Sequence, residues 1–358
     1  MHVSRQCATV PLMKKKTNFV ASLTNATEQT LCVVNGVIGD KLEESRIGLA
    51  TKMALYAEDK PVTLTKRSLK QKKLNPSGKI CILAHGSCGS EKGWGFPENA
   101  EENYGSQLQK DFGLIPFFLR YNSGLHISTN GKRLSDLLEK LVRGYPQKVN
   151  ELVLVGHSMG GLVFRSACHY GQKKNKKWVR LVSKIFYIAS PHAGTHLEKI
   201  GKLTTVILNQ IPNPITKIIG YVGDLRSNGI KDLRHGYLTD EAWQERDAER
   251  LFYWPQNQTP LLKKTDHYFI CGTLSKAADS KMGRLFGDGL VHPASGTGQT
   301  WFSSHGTPVS PDHCKIIPGI SHHRLQKSRR VYAQIRYWIH QPSHLKQRPY
   351  WINKTLSK

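Results

Sequence analysis

The residue types and spacing that point most directly to chemistry lie around Ser158, the third residue of the segment GHSMG at positions 156–160. This segment matches the pattern G-x-S-x-G, which is informative when a strand precedes it and a helix follows it. Apolar residues at 151–155 predict the strand, and residues 161–170 predict the helix. The glycines allow a tight turn between them, which would project the serine hydroxyl from the carboxyl edge of a sheet. The sequence therefore predicts that Ser158 is a nucleophile.

A serine nucleophile needs a base that accepts its proton and an acid that holds the base in the correct tautomer. After a strand-turn-helix serine motif, the acid and then the histidine follow along the chain. Asp288 lies between two glycines in the segment FGDGLV at 286–291, which predicts a carboxylate on a sharply turning loop. We expect Asp288 to be the acid. The spare carboxylates are Asp266, Asp279 and Asp312, and an Asx-type turn is the purely structural interpretation of Asp288.

The base is expected in the segment ISHHRL at 320–325, close to the end of the chain. This segment follows a short apolar run at 316–317 and precedes a helical pattern, which agrees with the chain order serine, acid, histidine. Neighbouring side chains diverge, so two adjacent histidines cannot both face one serine. We expect His322 to be the base, with His323 as the alternative.

Acyl transfer also needs N–H donors for the negatively charged oxygen of the tetrahedral intermediate. One such donor is the backbone N–H of the residue after the nucleophile, here Met159. The second comes from a loop after an early strand, and the segment HGSCGS at 85–90 directly follows the apolar run at 80–84. The glycine at 86 would let the N–H of Ser87 turn inward. Ser87 and Met159 are therefore the predicted oxyanion hole.

These segments need a scaffold that brings their ends together. Short apolar runs alternate with helical patterns, which indicates βα repeats and a mainly parallel sheet. The runs lie at 80–84, 114–119, 152–155, 185–189 and 268–271. Together with the serine motif they predict an α/β-hydrolase fold, in which helices flank a mainly parallel sheet.

The chain divides into two predicted parts. Residues 1–73 are expected to form an N-terminal helical segment, with an apolar stripe at positions 31, 34, 38 and 42, and then a basic linker. Residues 74–358 are expected to form the catalytic domain. Within it, residues 196–264 interrupt the βα rhythm and carry two apolar stripes separated by Pro212 and Pro214, which predicts an inserted helical lid. Packing of these stripes into a core is the alternative.

Four segments resemble those of lipase-like α/β-hydrolases, most closely the bacterial branch related to the GPI inositol-deacylases, the PGAP1-like family. They are GHSMGGLV at 156–163, SPHAGT at 190–195, GDGLV at 287–291, and GISH at 319–322 followed by RVY at 330–332. The resemblance covers roughly residues 80–339. It implies hydrolysis of carboxylic esters, with lipid or phospholipid acyl esters as the usual substrates, and it implies no metal or organic cofactor.

The charge balance is unusual, because 52 Lys and Arg against 26 Asp and Glu give a net charge of +26, which attracts anionic partners. The basic residues are dispersed in short runs without interleaved aromatics or a recognised nucleic-acid module, so the pattern does not favour nucleic acid. Solvated basic loops are the plain interpretation, and peripheral contact with an anionic membrane is the alternative. The sequence leaves the oligomeric state undefined.

Compartment and metal content follow from a few further observations. No apolar run reaches the length of a signal peptide or a spanning helix, and the seven cysteines show no CxxC spacing. We therefore expect free thiols in a cytoplasmic protein, with association at a membrane surface as the alternative. His192 and His196 are four residues apart, but they lack the glutamate-containing helix of a metal site, so we predict no metal.

The expected function is a serine hydrolase that cleaves carboxylic esters through an acyl-enzyme, with an ester or lipid as its substrate partner. The same triad would also serve an acyltransferase or a thioesterase. A non-catalytic protein that binds a membrane surface is the alternative from another class.

Overall fold

The computed structural model describes residues 28–46, 48–71, 77–195, 226–244, 259–277, 287–298 and 309–342. The strands in these ranges are β1 Ala54–Ala57, β2 Lys60–Pro61, β3 Lys79–Ala84, β4 Gly95–Phe96, β5 Asn99–Asn103, β6 Ile115–Arg120, β7 Glu151–His157, β8 Val182–Ile188, β9 Asp266–Thr273 and β10 Cys314–Pro318. The helices are α1 Glu28–Glu44, α2 Lys66–Gln71, α3 Tyr104–Phe112, α4 Ile127–Gly144, α5 Met159–Lys173, α6 Asn228–His235, α7 Asp240–Gln244, α8 Pro293–Thr297, α9 His322–Leu325 and α10 Arg329–His340.

Eight strands form one sheet in the order β10-β9-β8-β7-β3-β6-β1-β2. The six strands β3 and β6–β10 are parallel to one another, whereas β1 pairs antiparallel with β6, and β2 pairs antiparallel with β1. The central strands are continuous apolar runs because both faces of a parallel sheet are covered by helices. The mainly parallel, helix-flanked sheet confirms the predicted α/β-hydrolase fold.

The two faces of the sheet support separate cores, as β7 illustrates. Successive side chains of a strand point to opposite faces. Leu152 and Leu154 belong to the core that contains the apolar residues of α4 and α5. Val153 and Val155 belong to the core that contains those of α3 and α10. Layers of helices on both faces therefore fix β7, and with it the turn at its carboxyl end.

The N-terminal part of the chain joins this scaffold. The predicted helical stripe lies in α1, but all residues from 33 to 40 are buried, so protein surrounds this helix on more than one side. The backbone at Ile38 is non-helical, with φ −135° and ψ 22°. The strands β1 and β2 precede residue 74 and extend the same sheet as the strands that follow it, so the sheet includes residues on both sides of the predicted boundary. Strands of four and two residues are too short to show an alternating pattern in the sequence.

The two apolar stripes that we assigned to a lid lie outside the described residues. The described part of that predicted insertion packs on the main body, with Leu233, Leu238, Leu261 and Leu262 buried in the core beside α4 and α5. Asp232 of α6 accepts a 2.7 Å hydrogen bond from the Ile127 N–H, the first residue of α4. A carboxylate at a helix N-terminus is favourable, so this contact ties α6 to α4.

Two further observations concern the chain as a whole. In the described ranges, no helix has both the length and the apolar content required to cross a membrane. The six described cysteines are free thiols, and five of them are buried. Burial raises the pKa of the Cys88 thiol to about 12, so this cysteine stays protonated and unreactive at neutral pH.

Candidate active site

Ser158 occupies the turn between β7 and α5 in a conformation that few non-glycine residues adopt. Its φ is 53° and its ψ is −122°, and its N–H donates a 2.8 Å hydrogen bond to the carbonyl of Ile188 in the neighbouring strand β8. A Cβ added at Gly160 would lie 2.3 Å from the carbonyl oxygen of Ala84, so α5 passes β3 at a distance that only glycine allows. Such a strained, over-determined turn is typical of a functional site.

The loop after β3 passes directly over Ser158. A Cβ added at Gly86 would lie 2.9 Å from the Cβ of Ser158, so the backbone of this loop contacts the serine. The Gly86 carbonyl accepts hydrogen bonds from His85 Nδ1–H at 2.8 Å and from the Gly89 N–H at 3.2 Å. Because a carbonyl and the next N–H point in opposite directions across a trans peptide, these two bonds set the direction of the Ser87 N–H.

His85 is held in a single orientation. Its ring stacks on Tyr121 with the centroids 4.4 Å apart, and the Tyr121 hydroxyl donates a 2.8 Å hydrogen bond to the His85 carbonyl. Complete burial lowers the pKa of His85 to about 4, so the ring is neutral at physiological pH. The neutral Nδ1–H tautomer is the form that can donate to the Gly86 carbonyl.

The other predicted oxyanion donor, Met159, is the first residue of α5. The first N–H groups of a helix have no intrahelical acceptor, and they lie at the positive end of the helix dipole. Met159 therefore presents its N–H at the edge of the sheet beside Ser158, in an environment that favours a developing negative charge.

Asp288 and His322 lie in direct contact although 33 residues separate them in the chain. His322 Nδ1 is 2.8 Å from Asp288 Oδ2, and the His322 N–H donates a 3.0 Å hydrogen bond to the Asp288 carbonyl. The other carboxylate oxygen, Oδ1, accepts hydrogen bonds from the N–H groups of Leu290 at 3.0 Å and Val291 at 2.8 Å. The Asp288 side chain is only 1% exposed, so these bonds replace the water that a carboxylate otherwise requires.

His157, the residue before Ser158, links the turn at Ser158 to His322. Its Nε2 lies 3.1 Å from the His322 carbonyl, so the neutral Nε2–H tautomer donates to that oxygen, and the two rings are 4.9 Å apart. Burial, together with the neighbouring His322, holds the pKa of His157 well below its usual value. Sequence reasoning treated His157 only as the variable position of the motif and missed this contact. The available signal in the sequence was a polar residue at the end of an apolar strand, directly before Ser158.

These contacts bring all the predicted site residues to one edge of the sheet. In the described residues, Ser158 Oγ makes no direct hydrogen bond to His322, and catalytic hydrogen bonds are often long before a substrate binds. The alternative His323 is not the histidine that meets Asp288, and burial together with Lys327 lowers its pKa.

The alternative carboxylates lie elsewhere. Asp266 begins β9, at the opposite edge of the sheet, and its Oδ2 is 3.4 Å from Lys184 Nζ in a buried ion pair. Asp312 is exposed in the turn before β10. Asp279 lies outside the described residues.

The segment at 190–195 supports the loop at 287–291 that carries Asp288, which we call the acid loop. Thr195 Oγ1–H donates a 2.8 Å hydrogen bond to the Leu290 carbonyl, and Ser295 Oγ–H donates one of the same length to the Gly194 carbonyl. His192 is fully buried, its Nδ1 lies 3.3 Å from Arg165 Nη1, and its ring packs edge-on against that of Tyr187. This segment therefore connects β8 to the loop that carries Asp288.

The same segment contains His192, one of the two histidines considered above as metal ligands. His196, which is four residues after His192 and was not predicted to bind a metal with it, lies outside the described residues. Within the ranges that the structure describes, no three His, Cys, Asp or Glu side chains are grouped so that they could hold a metal ion.

Comparison with solved structures finds esterases and a thioesterase of low sequence identity. One is YbtT, a type II thioesterase of the yersiniabactin NRPS/PKS biosynthetic pathway, at 14% identity over 73% of this chain and 92% of that chain, with a TM-score of 0.43. An esterase of Pyrobaculum calidifontis is 10% identical over 88% and 92%, with a TM-score of 0.42. An esterase of Thermogutta terrifontis is 13% identical over 74% and 90%, with a TM-score of 0.38.

Comparison by sequence gives the family. The comparison with curated proteins found no match to this chain. Residues 75–259, just over half of the chain, match the family described as PGAP1-like alpha/beta domain. This match confirms the resemblance inferred from the four sequence segments. The chain therefore belongs to the PGAP1-like alpha/beta domain family.

Proposed function

We propose that this chain is a carboxylic ester hydrolase with Ser158 as nucleophile, His322 as base and Asp288 as acid. The observation that carries the proposal is the 2.8 Å contact between His322 Nδ1 and Asp288 Oδ2, at the edge of the sheet where Ser158 is held at positive φ. A carboxylate at Nδ1 keeps the proton on that nitrogen and leaves Nε2 free to accept one. His322 is thus in the tautomer that a serine nucleophile requires.

In the first half of the reaction, Ser158 Oγ attacks the ester carbonyl carbon while its proton passes to His322 Nε2. The carbonyl oxygen becomes an oxyanion, which the N–H groups of Ser87 and Met159 stabilise. The C–O bond to the alcohol then breaks, and His322 gives its proton to the leaving oxygen. The products of this half are a free alcohol and an acyl-Ser158 ester.

In the second half, water attacks the acyl carbon and gives a proton to His322. The bond to Ser158 Oγ breaks, the serine recovers its proton, and the carboxylic acid leaves. Asp288 remains ionised throughout and stabilises the imidazolium that forms in each half. Its Oδ1 accepts hydrogen bonds from the N–H groups of Leu290 and Val291, which hold the carboxylate in its orientation towards His322.

We further propose that the substrate is a lipid or another acyl ester. The support for this class is membership of the PGAP1-like family, together with the resemblance of the segments around Ser158, Asp288 and His322 to lipase-like enzymes. Hydrolysis of a thioester and transfer of the acyl group to another acceptor use the same residues, and the substrate panel below separates thioester hydrolysis from ester hydrolysis.

The test combines active-site labelling with a substrate panel. A fluorophosphonate probe should label the wild-type protein, and Ser158→Ala should abolish the label. Ser183→Ala is the matched control, because Ser183 lies near the amino end of β8, at the opposite edge of the sheet. Labelling that survives in Ser158→Ala would overturn the assignment of the nucleophile.

The panel compares p-nitrophenyl esters from acetate to palmitate with the corresponding acyl thioesters. Faster turnover of long-chain oxygen esters is expected for a lipid ester hydrolase. A clear preference for acetate would contradict the lipid assignment, and a clear preference for thioesters would replace the ester assignment.

Peripheral contact with anionic membranes is proposed on the net charge of +26. The protein should co-sediment with phosphatidylserine-containing vesicles but not with pure phosphatidylcholine vesicles, and the binding should weaken as salt rises. Binding that is insensitive to salt would contradict an electrostatic contact.

A further inference from the structure

Helix α1 lies across the loop that carries the proposed oxyanion donor Ser87. A Cβ added at Gly36, in the middle of α1, would lie 2.1 Å from Cys88 Sγ and 2.9 Å from both the Cα and the N of Cys88. The backbone of α1 therefore rests directly on the residue after Ser87. Nearer the start of the helix, the Ser90 hydroxyl lies 3.4 Å from Gln29 Oε1.

Cys88 is held from a second side in a conformation that it would not adopt alone. Its φ is 60°, in the left-handed region that favours glycine, and its N–H donates a 2.9 Å hydrogen bond to Ser123 Oγ. A non-glycine residue stays in this region only when the surrounding structure over-determines it. The packing of Gly36 and the bond to Ser123 provide that constraint.

Helix α1 is itself fixed at this position. Asn122 Nδ2–H donates a 2.9 Å hydrogen bond to the Gly39 carbonyl, and Ser227 Oγ–H donates a 2.7 Å bond to the Gly36 carbonyl. A Cβ at Gly124 would lie 2.3 Å from the carbonyl oxygen of Asn35, so the loop after β6 also touches the helix backbone. The helix is thus anchored to the loop after β6 and to the residue that precedes α6.

We propose that α1 is part of the catalytic apparatus, in which Gly36 and Cys88 are positioning residues for the oxyanion hole. The helix presses Cys88 into its left-handed conformation, which orients the preceding peptide and holds the Ser87 N–H toward the substrate carbonyl oxygen. Helix α1 lies before residues 75–259, the part of the chain that matches the family. The proposal rests on the proposed ester hydrolase function.

The experiment uses the full-length chain and measures kcat and KM for a short p-nitrophenyl ester, together with the thermal unfolding midpoint. In Gly36→Ala the added methyl group cannot fit beside Cys88, so the loop must move. Removal of one oxyanion-hole donor lowers kcat about 100- to 1000-fold, so displacement of Ser87 should lower kcat by at least about 10-fold. KM should change little, because the bond to the oxyanion forms fully only in the transition state.

A second variant separates this role from general destabilisation. Gly36→Ala combined with Cys88→Gly removes the 2.1 Å overlap with Cys88 Sγ and places glycine at a φ that it adopts freely. The Cα and N of residue 88 stay 2.9 Å from the added Cβ, so part of the lost kcat should return. The matched control is Gly171→Ala in α5, where the new Cβ would lie 2.5 Å from Val179 Cγ2, away from the loop. This control should lower the unfolding midpoint but leave kcat near the wild-type value.

The outcomes distinguish this inference from the proposed function. If the wild-type protein hydrolyses no ester, the proposed function fails. If it is active and Gly36→Ala keeps its kcat while losing stability as Gly171→Ala does, the role of α1 is overturned. Should Gly36→Ala not fold, Ser227→Ala provides a milder test, because it removes the 2.7 Å hydrogen bond that holds α1 at the Gly36 carbonyl. An unchanged kcat in folded Ser227→Ala would then overturn the proposal.

Discussion

Replacement of Asp288 by asparagine tests how the acid loop controls the tautomer of His322. Asp288 Oδ1 accepts two backbone N–H groups, those of Leu290 and Val291, whereas Oδ2 faces His322 Nδ1 at 2.8 Å. An asparagine of the same shape should keep its carbonyl oxygen at the two backbone N–H donors. The opposite orientation would place the NH₂ group against those N–H groups, and two donors cannot bond to each other. The NH₂ group is therefore directed at His322 Nδ1.

Two donors cannot form a hydrogen bond with each other, so His322 should move its proton from Nδ1 to Nε2. In that tautomer Nε2 cannot accept the proton of Ser158. The loss of the correct tautomer costs about 10⁴-fold in kcat, which corresponds to about 5 kcal/mol of transition-state stabilisation. KM should stay close to wild type, because the buried carboxylate does not touch the substrate. The free energy of unfolding should fall by only about 1 kcal/mol, since a hydrogen bond to a charged group is replaced by a neutral one from the asparagine NH₂ to His322 Nδ1.

The assay is hydrolysis of a p-nitrophenyl ester, with the free energy of unfolding measured by urea denaturation on the same preparations. Asp312→Asn is the matched control, because Asp312 is an exposed carboxylate outside the site. A kcat for Asp288→Asn within about 10-fold of wild type would refute the tautomer argument. An equal loss in Asp312→Asn would show that the effect is not specific to the acid loop.

Two more outcomes are expected from the buried histidines. His157→Phe keeps a ring in place but removes the donor to the His322 carbonyl. A net hydrogen bond is worth about 0.5–1.5 kcal/mol, so kcat should fall by up to about 10-fold. An unchanged kcat in a folded variant would argue against a positioning role for His157. Burial lowers the pKa of His85 and of His267 to about 4, so below pH 6.5 the unfolded chain binds protons that the native protein does not. The free energy of unfolding should therefore fall as the pH is lowered from 6.5 towards 4, by about 1.4 kcal/mol per pH unit for each histidine, and urea denaturation at several pH values checks this. Constant stability across that window would contradict the neutral state of both rings.

Much of the scaffold could be predicted from local patterns. The apolar runs at 80–84 and 152–155 correspond to β3 and β7, and the helix predicted at 161–170 lies within α5. These patterns are readable because the neighbours of a residue within a strand or helix are set by chain geometry alone. The short strands β1 and β2 escaped prediction, since four or two residues contain no recognisable period.

Local patterns do not determine which residues of the site contact each other. Chain order placed an acid and a histidine after Ser158, but several carboxylates and two adjacent histidines satisfied that order equally well. The contact between Asp288 and His322 depends on how the loops after β9 and β10 pack against each other. Spacing in the sequence contains no information about that packing.

The sequence by itself determined the strand-turn-helix around Ser158, because its glycines and apolar neighbours act over a few residues. Only the tertiary structure decided which carboxylate meets His322, that His157 donates to the His322 carbonyl, and that Gly36 lies against Cys88. The physical reason is range: backbone conformation responds to adjacent residues, whereas a contact between residues tens of positions apart forms only when the whole core has packed.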